Sequence, residues 1–249
     1  MCTLVILRRQ GHEWPLLLAA NRDEMRDRPA APPARHWEDR PEVVAGLDEL
    51  GGGSWLGVND AGLLAAVMNR EGTLGPQRGK RSRGELVLEA LDHAEAGAAA
   101  GALADLHPDA YRPFNLVVAD ARDAYWLRHG GDGEIRVHPV PPGLHMLTAT
   151  ELDDSDNPRI RANLFRFRES ELPDPNRGQW EGWRSLLASR AYPDEAGPTA
   201  AMNLDLGNGF GTVSSALIAV PAYPGTKPEP VWLHAEGPPD LAPFEPVDW

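Results

Sequence analysis

At 249 residues with 42% hydrophobic content, the chain is long enough to bury a sizeable core within one domain. Its net charge of −13 excludes it from the proteins that grip a nucleic-acid backbone through clustered Lys and Arg. A single cysteine excludes an intramolecular disulfide and any multi-cysteine metal site, and no apolar run approaches the ~18 residues of a membrane span, so the sequence reads as cytoplasmic, with no signal sequence, no nucleic-acid partner and no membrane span.

Leu4–Leu7 and Leu16–Ala20 are short apolar runs separated by Gly11-His12-Glu13-Trp14-Pro15, the pattern of a β-hairpin with a longer loop. The second run ends in Asn21-Arg22-Asp23-Glu24, four polar residues placed where a loop can present them. A Pro-rich loop follows over 28–33, then Val43–Gly46, and Trp55–Val58 with Gly62–Asn69 form another hairpin turned by Asn59-Asp60-Ala61-Gly62. Ser82 as N-cap, with Glu85 three residues on, predicts a helix through His93 that buries Leu86, Leu88 and Leu91. A second helix is expected over about 94–106, interrupted by Gly97 and Gly101. Phe114–Asp120 and Ala124–Leu127 make a further hairpin, with Ile135–His138 after it. A helix over Asn157–Arg168 has Ile160, Leu164 and Phe167 on one face, and Arg159, Arg161, Arg166 and Arg168 read as its solvated side. Trp180–Ser189 suggests a last helix, and Val213–Val220 a buried strand before a Pro-rich tail over about 221–249. Helices grouped between blocks of antiparallel strands predict an α+β fold, one domain over 1–249.

Cys2 is the first candidate for chemistry. Removal of Met1, which cells perform when the next residue is small, would leave a thiol and a free α-amine on one residue, and an amine of pKa near ~8 can take the thiol proton at neutral pH. The competing reading is a small apolar side chain that fills the core ahead of Thr3-Leu4-Val5-Ile6. A Thr3–Ala20 hairpin brings residue 2 and residues 21–24 to the same end of a sheet. Arg22 then stabilises a thiolate or holds a substrate carboxylate, and Asp23 or Glu24 orients the terminal ammonium; the same four residues also serve in turn and salt-bridge clusters that merely close a hairpin. The basic run Arg78–Arg83 is either a solvated loop or a holder for a carboxylate, phosphate or coenzyme tail.

These residues resemble the NRDE family, whose animal member is the transport and Golgi organization protein 2. The resemblance rests on Met1-Cys2, Leu18–Glu24 with Arg28-Pro29, Trp37, Gly46-Leu47-Asp48, Gly52–Gly57, Asn69, Arg81–Leu86, Phe114-Asn115-Leu116 and Gly211–Ser215. That family is in turn similar to the cysteine-type N-terminal nucleophile (Ntn) hydrolases, among them bile salt hydrolase and penicillin V acylase, which share a four-layer αββα sandwich of antiparallel sheets. Val58–Asn69 resembles the hydrolases' Asn-Glu-x-Gly-Leu segment, whose closing Asn helps form the oxyanion hole, so the resemblance gives that role to Asn69; the residue equally suits a turn before Arg70-Glu71-Gly72. This chain departs from the hydrolases in two places. They carry Arg-x-x-Asp where it has Asn21-x-x-Glu24, which shifts activation of the thiolate to Arg22 or elsewhere, and their second oxyanion Asn falls at Thr148-Ala149-Thr150, where it has Ala149.

The resemblance thus implies a catalytic set of Cys2, Arg22, Asp23, Glu24 and Asn69, with Asn21, Arg83 and Asn115 toward the substrate, no metal and no cofactor. The expected activity is amide or thioester hydrolysis of a small acyl compound. The alternative is a non-enzymatic carrier of haem or of an acyl-lipid or acyl-CoA, following the association of the animal relatives with those ligands. For haem the candidate ligands are His12, His36, His93, His107, His129, His138, His145 and His234, without any Cys-x-x-Cys-His attachment motif.

Overall fold

In the computed structural model, which describes residues 2–223 and 229–248, the opening hairpin forms from β1 (Thr3–Arg8) and β2 (Leu16–Met25). The expected loss of Met1 lies outside the described residues, as do residues 224–228 and 249 of the expected tail. The two strands are uninterrupted apolar runs because both of their faces are buried: Leu4, Ile6, Leu16 and Leu18 point into one core layer, Val5, Leu7, Leu17 and Ala19 into another.

The chain then builds a separate antiparallel sheet from β3 (Ala30–Ala34), β4 (Val43–Asp48), β5 (Leu56–Asn59), β6 (Leu64–Asn69), β7 (Phe114–Ala119), β8 (Ala124–His129) and β9 (Ile135–Pro139), each paired with the next. β10 (Gly143–Leu147) returns to the free side of β1, and β11 (Phe210–Val220), β12 (Val231–Ala235) and β13 (Glu245–Pro246) extend the first sheet from β2. The sequence predicts a tail after Val220; β12 and β13 instead pair into the sheet, with Trp232 buried between the sheets.

Two helix pairs complete the layers. α1 (Gly84–Leu91) and α2 (Ala96–Ala104) bury Leu86, Leu91, Ala99 and Leu103 against Leu116 and Val118 of β7. α3 (Pro158–Glu169) and α4 (Glu181–Leu187) bury Ile160, Phe167, Trp183 and Leu187 against Val5, Leu17 and Leu217. Each such side chain contributes about 1.5–3 kcal/mol when removed from water. The order of layers is helix, sheet, sheet, helix, the expected α+β sandwich. Among the described residues no helix is long and apolar enough to cross a membrane.

The ends of the helices differ from the sequence reading for local reasons. α1 stops at Leu91, two residues before His93, and begins after Arg83 instead of Ser82, although the Ser82 hydroxyl still accepts from the Gly84 amide at 3.2 Å. α3 begins as expected, with the Asn157 side chain accepting from the Arg159 and Ile160 amides. Arg159, however, is not on a solvated side: it is 3% exposed and turned into the sheet.

Candidate active site

The register of β1 on β2 pairs Thr3 with Asn21, so Cys2 stands at the same sheet end as residues 21–24. Asn21–Glu24 is not a loop. β2 continues through it because β11 supplies a partner along its whole length, Ser215 opposite Asn21, Ser214 opposite Arg22, Thr212 opposite Asp23 and Gly211 opposite Glu24, with a bulge between Thr212 and Ser214. A strand sends alternate side chains to opposite faces. The four polar residues therefore do not share one pocket, as a loop would have allowed.

Asn21 and Asp23 face α3 and α4. The Asn21 amide donates to the carbonyls of Leu187 and Met202 at 3.0 and 2.9 Å, and its oxygen accepts from the Ser215 hydroxyl at 2.6 Å. Asp23 accepts from Arg159 Nη1 at 2.6 Å and from the Thr212 hydroxyl at 2.7 Å. Arg159 Nη1 also donates to Thr3 Oγ1 at 2.8 Å, closing a buried network across the start of β1.

Arg22 faces the other way, into a cleft between the sheets that it shares with Cys2, Ser214 and His234. Its guanidinium lies 3.9 Å from the centroid of the Trp55 ring, a cation–π contact. Trp55 can lie there because residue 46 is glycine: a Cβ at that position would come within 2.4 Å of the indole. The cleft encloses about 430 Å³ including its mouth and is walled mainly by apolar groups, among them Leu4, Leu56, Met68 and Trp232. Cys2 is half-buried at its edge, packed on the inter-sheet core, and its thiol makes a long contact of 3.9 Å to the Asp23 carbonyl.

The electrostatics of the cleft are set by burial. It pushes the Cys2 thiol above its usual range; the Asp23 charge adds to the rise, while the hydrogen bond to the Asp23 backbone and the Arg22 charge oppose it. Arg22 thus favours the thiolate, the direction the sequence suggests, while burial has the larger influence on Cys2. Burial also lowers Arg22, against the opposing charges of Cys2, Glu24 and Asp48. His234 is pushed down to about 4 by burial and by Arg22, and its buried Nδ1 has no hydrogen-bond partner among the described residues. At neutral pH its imidazole is uncharged.

The remaining expected residues surround this site without lining the cleft. Glu24 accepts from the Met25 amide at 2.8 Å and lies 3.8 Å from Arg28, whose guanidinium pairs with Asp48 at 2.7 Å. Arg83 donates to the Thr73 hydroxyl and the Pro113 carbonyl, both at 3.0 Å, and burial together with neighbouring Arg112 brings it down to about 10, so it ties loops together while sensing the charges of Cys2 and Glu24. Asn115 is fully enclosed: it donates to the Thr148 and Thr150 carbonyls and accepts from Arg70 and the Trp126 indole, which leaves no capacity for a substrate. Asn69 closes β6 opposite Phe114, and by alternation shares the helix-covered side with Ala65 while Met68 lines the cleft.

Two members of this site have places the sequence reading did not give them: it set Arg159 on a solvated face and named His234 only as one of eight candidate haem ligands. Arg159 is hidden by its neighbours Arg161, Arg166 and Arg168, although its spacing of one residue before Ile160 places it at the helix edge nearest the sheet. His234 lies beyond the expected last strand, and the alternation Trp232, His234 in a run bounded by Pro was its only signal. Among the described residues no three His, Cys, Asp or Glu side chains cluster as metal ligands do.

The sequence pattern of the Transport and Golgi organisation 2 family matches residues 1–178. The Transport and Golgi organization protein 2 homolog of Bos taurus is 37% identical over 155 residues, covering 56% of this chain and 52% of that protein. The chain thus aligns with about half the length of the curated relatives it matches. Among solved structures, the Caenorhabditis elegans ortholog of N-acylethanolamine-hydrolyzing acid amidase superposes with a TM-score of 0.61 at 13% identity, covering 99% of this chain and 100% of that one. A mutant conjugated bile acid hydrolase from Clostridium perfringens superposes with a TM-score of 0.53 at 9% identity, covering 100% of this chain and 97% of that one. At such identities the likeness carries the fold, which is of the Ntn-hydrolase type.

Proposed function

This chain belongs to the Transport and Golgi organisation 2 family, and from that premise we propose that it hydrolyses an amide or thioester of a small acyl compound through Cys2, acting in the cytoplasm, where a lone thiol stays reduced. The observation that carries the reading is the place of the thiol: it opens the first strand of an Ntn-type sandwich at the edge of an apolar cleft whose one cation, among the lining residues described, is Arg22. Two solved proteins of this fold bear names that state hydrolysis of acyl conjugates.

Loss of Met1 would give Cys2 the α-amine that takes its proton, lifting the burden that burial places on the thiol. The sulfur then attacks the acyl carbonyl while the acyl chain lies along Leu4, Leu56 and Trp232. Arg22, stacked over Trp55 at 3.9 Å, is the donor that would meet the carbonyl oxygen or a substrate carboxylate. Asp23 orients this end of β1 through Arg159 and Thr3, a positioning role.

The test is Cys2-dependent turnover of N-acyl amino acids, acyl-homoserine lactones, penicillin V and acyl-CoA thioesters, with intact mass spectrometry to establish whether the chain starts at Cys2. Cys2→Ser should abolish turnover and leave unfolding unchanged. Absence of turnover on all four classes overturns the hydrolase.

One observation favours the carrier as a second reading: of the eight histidines, His234 lines the Cys2 cleft along with Trp55 and Trp232, with a neutral imidazole whose Nδ1 has no hydrogen-bond partner among the described residues. A haem titration distinguishes the two. A saturable Soret shift that His234→Ala removes supports the carrier, and no shift rejects haem.

A further inference from the structure

A second cavity opens on the other side of the strand end that carries Cys2. It encloses about 840 Å³ including its mouth; Thr148 and Arg159 are buried in it, while Glu71, Asp154 and Asp156 stand nearer to solvent. β10 pairs with β1 as far as Leu147 opposite Leu4, so Thr148–Thr150 leave that strand at the end of the sheet where β1 begins after Cys2. Arg159 joins the two hollows, since it lines the second and bonds Thr3, which lines the first.

We propose that this second cavity receives the leaving amine of a substrate whose acyl part enters the Cys2 cleft, and that it selects a cationic amine over an anionic one. The assignment of a leaving group rests on the hydrolase reading; the charge preference rests on the cavity itself. Three carboxylates face it, and the charge of its buried cation, Arg159, is matched by Asp23 at 2.6 Å. The N-terminus of α3 also opens here, but Asn157 already accepts from its Arg159 and Ile160 amides at 3.0 and 3.2 Å, so they are not offered to an anion. Thr148 is 2% exposed and its hydroxyl has no hydrogen-bond partner among the described residues; the same holds for the Thr150 hydroxyl. Buried hydroxyls of this kind are unfavourable until a polar group meets them, and an ammonium with its three donors does so.

In the step this serves, the Cys2 sulfur bonds to the acyl carbon, the carbon–nitrogen bond breaks, and the nitrogen keeps that electron pair and takes the proton that left the thiol. The amine departs through the acidic cavity. Water then cleaves the Cys2 thioester to a carboxylic acid and returns a proton to sulfur.

Decanoyl amides of 1,3-diaminopropane and of glycine share an acyl chain and differ in the sign of the far-end charge. The expected kcat/KM favours the cationic amide by about tenfold at low salt and by less at about 0.5 M NaCl. Asp154→Asn with Asp156→Asn should bring the ratio within about twofold without changing the dependence on acyl-chain length. Binding of the intact amides to Cys2→Ala, read by calorimetry, separates the two readings. If neither amide is hydrolysed but the cationic one binds about tenfold tighter, and the double variant loses that preference, the subsite stands and the hydrolase falls. Equal binding, tighter binding of the glycine amide, or no binding of either overturns the subsite.

Discussion

The last residues of β2 present two faces that are unlike in every physical respect. On the helix side, Asn21 and Asp23 are held by Leu187, Met202, Ser215, Thr212 and Arg159 in a buried, hydrogen-bonded network. On the inter-sheet side, Arg22 rests on an aromatic ring beside a half-buried thiol and an imidazole with an unpartnered nitrogen, at the edge of a cleft. Polar groups that have spent their bonding capacity hold a fold together. Those that have not, in a place a ligand can reach, are where chemistry is to be sought. Four consecutive polar residues are thus two functions interleaved with period two.

The largest effect that would break this contrast lies on the bonded face. Asp23→Asn removes the carboxylate that meets Arg159 while leaving a buried guanidinium behind, and the expected loss is about 3–5 kcal/mol in urea unfolding. Arg22→Gln, one residue away, should cost no more than about 1 kcal/mol, since cation–π stacking is its main contact. Equal losses would mean that both faces are structural and that the cleft carries no special role.

The next effect sharpens the contrast from the cleft side, through pH. Burial and Arg22 hold His234 near 4 in the folded protein, below the ~6.5 it has when unfolded. As pH falls, the unfolded chain binds that proton first, so the stability tied to the neutral imidazole is complete above about 6.5 and is lost progressively on the way down to about 4. The expected loss over that window is about 2–3 kcal/mol, and His234→Leu should flatten that part of the stability curve. An unchanged acid limb in the variant would show that the imidazole is solvated.

What the sequence made legible follows the same division. The hairpins, the helix stripes and the shared sheet end of Cys2 and residues 21–24 depend on neighbours in sequence, and the structure has them. The extension of β2 through Asn21–Met25 depends on β11, almost two hundred residues later, and no local pattern announces it. A loop reading gave one pocket to Arg22, Asp23 and Glu24; a strand reading would have set Asp23 on the opposite face from Arg22 and Glu24 at once. Asn115 was read as facing the substrate for a related reason: nothing in Phe114-Asn115-Leu116 tells that four partners at Thr148, Thr150, Arg70 and Trp126 consume its amide. Long-range bonding decides whether a polar residue is spent or available, and single-sequence periodicity does not contain it.

The smallest effect tests how the cleft treats its own nucleophile. Because desolvation raises the Cys2 thiol while Arg22 opposes that rise only weakly, alkylation by iodoacetamide at pH 7 should be slower than that of a free cysteine, and should climb steeply as the pH approaches and passes the usual thiol range. Arg22→Gln removes one of the opposing charges and should slow alkylation by a further ~2–3-fold without changing the unfolding midpoint by more than about 1 kcal/mol. The sign matters more than the size. If the variant reacts faster, Arg22 and Trp55 act as a lid over the sulfur, so access to the thiol, rather than its ionisation, limits the reaction.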